Sequence, residues 1–443
     1  MSHLRLIDGE ERVGTRAEDV RGEDEVTPPC LQELARPHEA RPSQGEKKAD
    51  PKPPPQHRDR KDGPQANSWK RNVVLPWLQG LLPDNDEALR AIGRRFGAAP
   101  GNPFALLEHI GADAAGAVQI LPPAELASDA RAEQSARPVT EAEVARMLDQ
   151  VVTEYTDGVA VGDGAGRFSI AGAQPKIALF RMPDGRWAVP EGSQPTTHIL
   201  KPVVGTFRRI DVVEQLTLRA AAHLGCDVAT ARLGRIGDWN VLISERYDRQ
   251  RTDGRWHRLH QEDMCQALSV PPSKKYQQRD GGPGVASIAQ LIGSLPLVAD
   301  REATGAAFFR AFVFNVVAGC TDAHAKNYSL TLRGRSVRLA PLYDLLTYAA
   351  YWDGSAIISS AMSVEGEYAL DRISVAGLVR TGSRFGVPPN DASSVVDEIR
   401  SGLVEAFEAA RASMADFTLA PDAVAVMDAA LAGVRRLPLV RVR

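Results

Sequence analysis

Residues 303–345 carry the pattern from which the fold can be predicted, and they read ATGAAFFRAFVFNVVAGCTDAHAKNYSLTLRGRSVRLAPLYDL. Their first part, Ala303–Ala318, predicts a helix that is apolar on nearly all sides, and such a helix is buried. After a polar loop, two short runs, Ser329–Leu332 and Ser336–Leu339, predict a hairpin that turns at Gly334. The stretch therefore predicts a buried helix, a loop and a hairpin, in that order, within one helical lobe.

The loop between the helix and the hairpin reads Thr321-Asp-Ala-His-Ala-Lys-Asn327. An Asp followed five positions later by an Asn is the arrangement of the catalytic loop in protein kinases. Phosphoryl transfer needs a carboxylate that accepts or orients the attacking hydroxyl, and this is the role we predict for Asp322. A neutral amide oxygen beside the phosphates suits magnesium, so Asn327 is a candidate metal ligand. The same spacing also occurs by chance in capped loops, so it needs support from its surroundings.

That support comes from Pro341-Leu-Tyr-Asp-Leu345, which follows the hairpin. Asp344 stands where a DFG-like element has its metal-binding Asp. Magnesium prefers carboxylate oxygens and keeps several waters, so one Asp and one Asn suffice beside the phosphates. The order of helix, loop, hairpin and second Asp thus predicts that Asn327 and Asp344 hold Mg²⁺ on ATP.

Lys201 is the candidate phosphate ligand, because it ends an apolar strand where a kinase keeps the Lys that grips the α- and β-phosphates. Asp211 can cap the following helix, which runs to Gly225. Glu214 on this helix either pairs with Lys201 or lies at the surface. Three runs of this smaller lobe read as strands: Lys176–Met182, Thr197–Val203 and Val241–Arg246.

Two further segments are candidates for contact with the nucleotide. Glu245-Arg-Tyr-Asp248 closes the third strand at the junction of the lobes. We predict that adenine lies there against backbone groups around Glu245 and Tyr247, and that Asp248 reaches the ribose. The loop Arg167–Lys176 precedes the first strand and carries Ser169 and Gly172, although it contains no GxGxxG.

Several other classes of site are disfavoured. No GxxxxGK[ST] occurs, which excludes a P-loop NTPase at the level of motif. His257, His260 and Cys265 lack a fourth ligand at sensible spacing, so no zinc site is predicted. The four cysteines form no CxxC pair, which favours a reducing compartment. A net charge of −3 argues against a protein that coats nucleic acid by itself.

Length and composition predict the organisation of the chain. Its 443 residues allow two or three domains, and 43% hydrophobic with 25% charged residues is ordinary for a soluble protein. Met1–Gly14 is too charged for a signal peptide, and no apolar run approaches the ~18 residues of a membrane span. We therefore expect a cytoplasmic protein without membrane contact. Residues 36–68 are rich in Pro and charged residues, which predicts disorder.

Together these patterns predict an α+β protein with a two-lobed protein-kinase-like fold, a small β-rich N-lobe and a mostly helical C-lobe. Order should begin near Val73, with helices around Leu75–Leu82, Glu87–Phe96 and Pro103–Ile110. The predicted parts are a degenerate or disordered N-terminal segment (1–70), a helical part (71–155), a nucleotide-binding N-lobe (156–250) and a C-lobe with the catalytic loop (251–443).

From about Val73 to its C-terminus the sequence resembles the HipA family closely. The similar segments occur in order, which makes the resemblance specific. They are Leu81-Leu-Pro-Asp84, Asn102-Pro-Phe104, Ala114-Ala-Gly-Ala-Val118, Ser169-Ile-Ala-Gly-Ala-Gln, Thr196-Thr-His-Ile-Leu-Lys201, Glu245-Arg-Tyr-Asp-Arg249, Gln261-Glu-Asp-Met-Cys-Gln266, Asp280-Gly-Gly-Pro-Gly284, Thr321-Asp-Ala-His-Ala-Lys-Asn327 and Tyr343-Asp-Leu345.

This resemblance implies a serine/threonine protein kinase that binds Mg-ATP between two lobes. It implies Asp322 as catalytic base, Asn327 and Asp344 as metal ligands, Lys201 as phosphate ligand and self-phosphorylation at Ser169. Family members phosphorylate proteins, aminoacyl-tRNA synthetases among them, and so arrest translation and growth. They are neutralised by a small helix-turn-helix antitoxin, HipB, through which the complex meets operator DNA.

Two features depart from the family pattern. The β-rich N-terminal subdomain should precede Val73, but only Leu4–Gly14 is similar to its first strands. Pro175 stands in the phosphate loop where a polar residue is expected, and its fixed φ and missing N–H predict an altered nucleotide affinity.

Two other functions remain open on the sequence alone. A small-molecule kinase of the aminoglycoside-phosphotransferase kind shares the Asp-x4-Asn loop and the later metal Asp, although Gln261–Gln266 and Ser169–Gln174 disfavour it. A silent nucleotide-binding co-repressor module is the other alternative. The presence of all four residues Lys201, Asp322, Asn327 and Asp344 disfavours that second reading.

Overall fold

The computed structural model describes residues 3–6, 71–122, 134–160, 171–414 and 420–440, with the backbone alone for residues 3–6. Ser169 and the first part of the predicted phosphate loop lie outside the described residues. The segment predicted to be disordered, 36–68, lies outside them as well.

An N-terminal unit contains the three predicted helices, which are α1 (Arg71–Gly80), α2 (Asp86–Phe96) and α3 (Pro103–Ile110). The side chain of Asn85 caps α2 by accepting a hydrogen bond from the backbone of Ala88, and α2 ends at Gly97 with φ 64°. Apolar side chains of these helices and of the following strand form a small core of their own, including Trp77, Leu78, Leu106, Leu107, Val118 and Ile120.

A strand at the start of the chain completes this unit. β1 (His3–Leu6) pairs antiparallel with β2 (Val118–Leu121), with Leu4 opposite Ile120. The prediction that order begins near Val73 is therefore wrong for residues 3–6. A run of four residues shows too little alternation to predict a strand, and its partner is distant in the sequence.

A six-stranded antiparallel sheet forms the smaller lobe. In chain order its strands are β3 (Gln134–Val139), β4 (Ile177–Arg181), β5 (Trp187–Gly192), β6 (His198–Pro202), β7 (Ala231–Ile236) and β8 (Trp239–Glu245). Their order across the sheet is β3-β5-β4-β6-β8-β7. One helix, α4 (Glu141–Asp157), packs on this sheet through Val144 and Leu148, and a capping box between Thr140 and Glu143 starts it. The three predicted strands are present as β4, β6 and β8.

Helix α5 (Ile210–His223) follows β6 and is buried along most of its length. Asp211 does not cap it, contrary to prediction. The N-cap is Arg209 at φ 50°, and Asp211 lies in the first turn, where its carboxylate accepts hydrogen bonds from the Arg209 guanidinium. A carboxylate in the first turn still favours the helix, because it lies at the positive end of the helix dipole. Gly225 follows the helix at φ 73°, as predicted.

The larger lobe is built around α9 (Val298–Val317), whose Phe308, Phe309 and Phe312 are fully buried. Behind it the hairpin β12 (Ser329–Arg333) and β13 (Ser336–Leu339) turns at Gly334, where φ is 54°. The remaining elements are β9 (Arg249–Thr252), β10 (Arg255–Arg258), β11 (His260–Asp263), α6 (Met264–Ala267), α7 (Gln277–Asp280), α8 (Val285–Gly293), β14 (Ser359–Val364), β15 (Glu367–Ala369), α10 (Val375–Ser383), α11 (Pro389–Ser413) and α12 (Pro421–Val434).

The predicted α+β class, with a β-rich smaller lobe and a mostly helical larger lobe, is confirmed. The predicted succession of buried helix, loop and hairpin is confirmed as well, and α9 begins five residues before the predicted apolar stretch, with Asp300 of its first turn buried. Among the residues described, no helix has both the length and the apolar character needed to cross a membrane.

Candidate active site

Lys201 on β6 lies between two carboxylates, one on α5 and one on the loop after the hairpin. Its Nζ donates a hydrogen bond of 2.9 Å to Oε1 of Glu214 on α5 and another to Oδ1 of Asp344. The side chains of Lys201 and Glu214 are 11% and 8% exposed, whereas that of Asp344 is 31% exposed. The pairing of Lys201 with Glu214, which the sequence left open, is thus present and buried. Asp344 joins it from the loop after the hairpin.

The charges of this group depend on one another. Burial opposes ionisation of Asp344, but Lys201 and Lys176 outweigh burial and hold the pKa of Asp344 below its ordinary value. Burial raises the pKa of Glu214, because Lys201 is shared and offsets only part of that cost. The two carboxylates in turn outweigh burial at Lys201 and raise its pKa. Lys201 is therefore a permanent cation between the lobes.

The backbone at Asp344 is turned sharply. Its φ is 52°, a left-handed conformation that is uncommon outside glycine but more frequent for Asp and Asn. Just before it, Tyr343 stacks on Tyr247 with ring centroids 5.8 Å apart. The Tyr343 hydroxyl donates to the carbonyl of Lys326 at 2.8 Å. These contacts attach the loop that carries Asp344 to the catalytic loop.

The catalytic loop presents Asp322 at the surface. The amide nitrogen of Asn327 donates to the carbonyl of Asp322 at 2.8 Å, and Ala325–Asn327 form one 3₁₀ turn. The hydroxyl of Tyr276 donates to Oδ1 of Asp322 at 2.5 Å. The Tyr276 ring in turn meets the buried His324 edge-on, and burial lowers the pKa of His324 to about 4. The structure thus brings together Asp322, Asn327 and Tyr276, the last of which the sequence did not indicate.

The residues at the end of β8 and just after it differ in exposure. Glu245 is exposed, and Tyr247 is half-buried beside Tyr343. Asp248 is buried, and both its oxygens accept hydrogen bonds from Arg246, while Oδ2 also accepts one from the backbone of Gly116 at 2.7 Å. Both oxygens of Asp248 are therefore hydrogen-bonded within the protein, and the predicted contact of Asp248 with a ribose stays a prediction.

Asp248 belongs to an ion cluster that we call the Asp113 cluster. Asp113 accepts hydrogen bonds at 2.9 Å from both Arg249 and Arg258, and it also binds Arg246 and Thr196. Burial opposes its charge, but the three arginines outweigh burial and lower the pKa of Asp113. The cluster joins the N-terminal unit to the smaller lobe. Its members are Asp113, Arg246, Asp248, Arg249 and Arg258.

At the end of the predicted phosphate loop, Gly172 lies at φ 116°. This φ is strained for any residue with a Cβ, so the position favours glycine, and a Cβ there would also displace the end of the Lys176 side chain, whose Nζ would be 2.3 Å away. Lys176 is buried and donates to the carbonyl of Ala171 at 2.9 Å. Burial lowers its pKa to about 8. Lys176 is not among the predicted site residues, although its place at the end of the loop is a signal in the sequence.

Comparison with known proteins agrees with this architecture. Residues 57–121 match the HipA N-terminal domain, and residues 168–407 match the HipA-like C-terminal domain. The chain belongs to the HipA family. The match to the N-terminal domain begins at residue 57, so the part of the chain that departs from the family is shorter than the predicted stretch before Val73. The match also includes part of residues 36–68, the segment predicted to be disordered.

Individual HipA relatives cover most of the chain. The chain is 40% identical over 293 residues to a Sinorhizobium fredii protein named "Putative kinase Y4mE". This alignment covers 65% of the chain and 68% of the relative. The chain is 31% identical over 342 residues to the serine/threonine-protein kinase toxin HipA of Shewanella oneidensis, over 74% of this chain and 75% of that one. A solved complex of Shewanella oneidensis HipA with HipB and operator DNA matches with a TM-score of 0.67 at 28% identity, over 84% of this chain and 86% of that one.

HipA-family membership settles the fold and the general activity. The predicted two-lobed kinase-like fold is confirmed, and the chain is an enzyme of the kinase class. This argues against the small-molecule kinase and the silent module among the alternatives.

Proposed function

We propose that this chain transfers the γ-phosphoryl group of Mg-ATP to serine or threonine hydroxyls of a protein. The observation that carries the proposal is the pairing of Lys201 with Glu214 and Asp344 between the lobes. Kinase chemistry requires such a Lys–Glu pair and a metal-binding Asp together, because the transition state is stabilised mainly by positioned charge. In our proposal residues 156–250 hold the nucleotide and residues 251–443 supply the catalytic loop.

Asp322 is the proposed catalytic base. Its carboxylate is exposed and receives a hydrogen bond from Tyr276, which holds it in place without covering it. The substrate oxygen bonds to the γ-phosphorus while the bond from that phosphorus to the β–γ bridging oxygen breaks. The hydroxyl proton passes to Asp322, and ADP leaves with the electron pair. Lys201 binds the α- and β-phosphates through its ammonium group, which Glu214 holds in position.

The side chains present fit a magnesium ion. The side-chain nitrogen of Asn327 donates to the backbone carbonyl of Asp322, so the side-chain oxygen of Asn327 is left to bind a cation. Asp344 keeps a partly exposed carboxylate with a lowered pKa. The described residues contain no cluster of three or more His, Cys, Asp or Glu side chains, and a cation shared with phosphates does not need one. When bound, the ion would neutralise charge that develops on the phosphates, and Asn327 and Asp344 would hold it.

Contacts to the rest of the nucleotide come from the segment after β8 and from the phosphate loop. We propose that backbone groups around Glu245 and Tyr247 receive the adenine, and that Gly172 allows the phosphate loop to approach the phosphates. Ser169, which lies outside the described residues, is the proposed site of self-phosphorylation. A phosphate there would add about −1.5 to −2 charges beside the triphosphate and would lower ATP affinity.

The proposed biological role is a growth-arresting toxin, since one relative bears that name and the matching solved structure contains HipA with HipB and operator DNA. The proposed target is an aminoacyl-tRNA synthetase. A HipB-like helix-turn-helix antitoxin would neutralise the chain and connect it to DNA. Growth arrest on expression, relieved by a small helix-turn-helix protein encoded beside it, tests this part.

The activity itself is tested with γ-labelled ATP, Mg²⁺, and either casein or kanamycin as acceptor. With the wild-type chain we expect label on casein, phosphate on Ser169 by mass spectrometry, and no label on kanamycin. With the Asp344→Asn variant we expect label on neither casein nor the variant itself. ATP binding should also weaken in that variant, because Asp344 holds the cation. Label on kanamycin alone would favour a small-molecule kinase, and equal transfer by Asp344→Asn would exclude the proposed site.

A further inference from the structure

Asp84 lies where the N-terminal unit meets the larger lobe, directly after α1 in the segment Leu81-Leu-Pro-Asp84. Its Oδ1 accepts a hydrogen bond of 2.7 Å from Nζ of Lys326, and its Oδ2 accepts one of 3.1 Å from Nζ of Lys275. Both carboxylate oxygens are therefore occupied by cations of the larger lobe. Lys326 belongs to the catalytic loop and immediately precedes Asn327.

The backbone of the same segment meets the phosphate loop. Pro83 forms a parallel bridge with Gly172, and the N–H of Asp84 donates to the carbonyl of Gly172 at 3.1 Å. Asp84 thus contacts both loops that flank the proposed nucleotide site. Its backbone holds the end of one loop, and its side chain holds the other.

The ion pairs of Asp84 are buried. The side chains of Asp84 and Lys326 are 7% and 5% exposed, and the next carboxylate, Oδ2 of Asp263, is 4.0 Å from the Lys326 Nζ. Burial opposes the charge of Asp84, but Lys326 and Lys275 outweigh it and lower its pKa. Removing one charge from such a pair leaves the other buried and unmatched, so the contact resists both sliding and opening.

Lys326 is held at both ends. Asp84 binds its ammonium group, while its carbonyl accepts from Tyr343, the residue before Asp344. A shift of Lys326 would therefore move Asn327 and disturb the loop that carries Asp344. Displacements of about 1 Å at a catalytic group can slow a reaction by about 100-fold.

We infer that Asp84 is a positioning residue, through which the N-terminal unit fixes the catalytic loop against the phosphate loop. The inference rests on the proposed function. It makes the N-terminal unit a working part of the kinase, in addition to any role in binding partners. A purely structural Asp84 would stabilise the unit without changing the chemical step.

The test compares Asp84→Asn with Trp77→Phe in the full chain. Trp77 lies in the same unit and donates to Glu262 at 2.7 Å, so its variant weakens the same contact without touching either loop. We expect Asp84→Asn to lower kcat for ADP release about 10- to 100-fold with KM for ATP changed less than about threefold. Hydrogen–deuterium exchange should rise in residues 321–328. Trp77→Phe should lower the melting temperature alone.

A double variant guards against simple misfolding. Asp84→Asn with Lys275→Met leaves only one of the two lysines that Asp84 binds, Lys326, and Asp263 lies 4.0 Å from its Nζ, so the double variant should melt higher than Asp84→Asn while kcat stays as low as in Asp84→Asn. Normal kcat and unchanged exchange in Asp84→Asn would overturn the inference. If the wild-type chain releases no ADP, the proposed function fails, and the exchange experiment still decides whether Asp84 positions the loop.

Discussion

The cleft around Lys201 and the Asp113 cluster both consist of ion pairs between basic side chains and carboxylates, but they differ in exposure and in the balance of charge. In the Asp113 cluster three arginines surround two carboxylates, and every member is buried. In the cleft one lysine binds two carboxylates, one of them 31% exposed, and Asp322 on the catalytic loop lies at the surface. The first arrangement is complete without a ligand. The second leaves Asp344 and Asp322 able to exchange partners, as a site for phosphates and a cation requires.

The strongest way to break this comparison is to remove a charge from the open side of the cleft. Asp322→Asn should lower the rate of phosphoryl transfer about 1,000-fold, roughly 4 kcal/mol of barrier, because the amide cannot accept the hydroxyl proton. Its amide oxygen can still accept from Tyr276, so the melting temperature should stay the same. Single-turnover transfer from labelled ATP measures the effect.

The matched control is Asp184→Asn, which removes an exposed carboxylate in the turn between β4 and β5. It should transfer phosphate at the wild-type rate. If Asp322→Asn kept most of its activity, Asp322 would not be the base.

The opposite result is expected in the Asp113 cluster. Asp113→Asn should lower the free energy of unfolding by about 3–5 kcal/mol, because it leaves buried arginines without a counter-charge. ATP affinity of the folded protein should change less than about threefold, because Thr196 and the arginines bind both oxygens of Asp113. Urea unfolding and binding of a fluorescent ATP analogue separate the two effects. Lost ATP affinity at full stability would show that the cluster belongs to the site.

The sequence predicted the parts of the cleft that follow one another along the chain. Asp322, Asn327 and Asp344 are recognisable because a loop and a hairpin fix their order, and Glu214 stands near Lys201 because a single helix follows the strand. Asp84 and Lys326 are 242 positions apart, and no local period relates them. The sequence also does not show that Arg246, Arg249 and the backbone of Gly116 surround the carboxylate of Asp248. Long-range ion pairs of this kind depend on the packed fold.

The pH dependence of stability sharpens the comparison at Lys176, which lies inside the cleft without a carboxylate hydrogen bond of its own among the described contacts. Its pKa falls from the ordinary 10.5 to about 8 on folding. Between these values the unfolded chain binds more protons than the folded one, so stability rises with pH. From pH 8 to 10 the gain should be roughly 2 kcal/mol in the nucleotide-free protein. Lys176→Met should lack this part of the rise, and identical pH profiles for the two proteins would contradict it.

The smallest expected effect concerns Tyr276. Its variant tests whether the hydroxyl positions Asp322 for the substrate or blocks the substrate from reaching it. Tyr276→Phe keeps the ring against His324 and removes only the hydroxyl that donates to Asp322. One such hydrogen bond contributes about 1 kcal/mol, so we expect kcat to fall by about three- to tenfold with an unchanged melting temperature. His324→Asn, which removes the ring beneath the tyrosine, serves as the comparison and should also lower the melting temperature. A rise in kcat for Tyr276→Phe would mean that the tyrosine competes with the substrate hydroxyl for Asp322, and that the nucleotide-free cleft is partly self-inhibited.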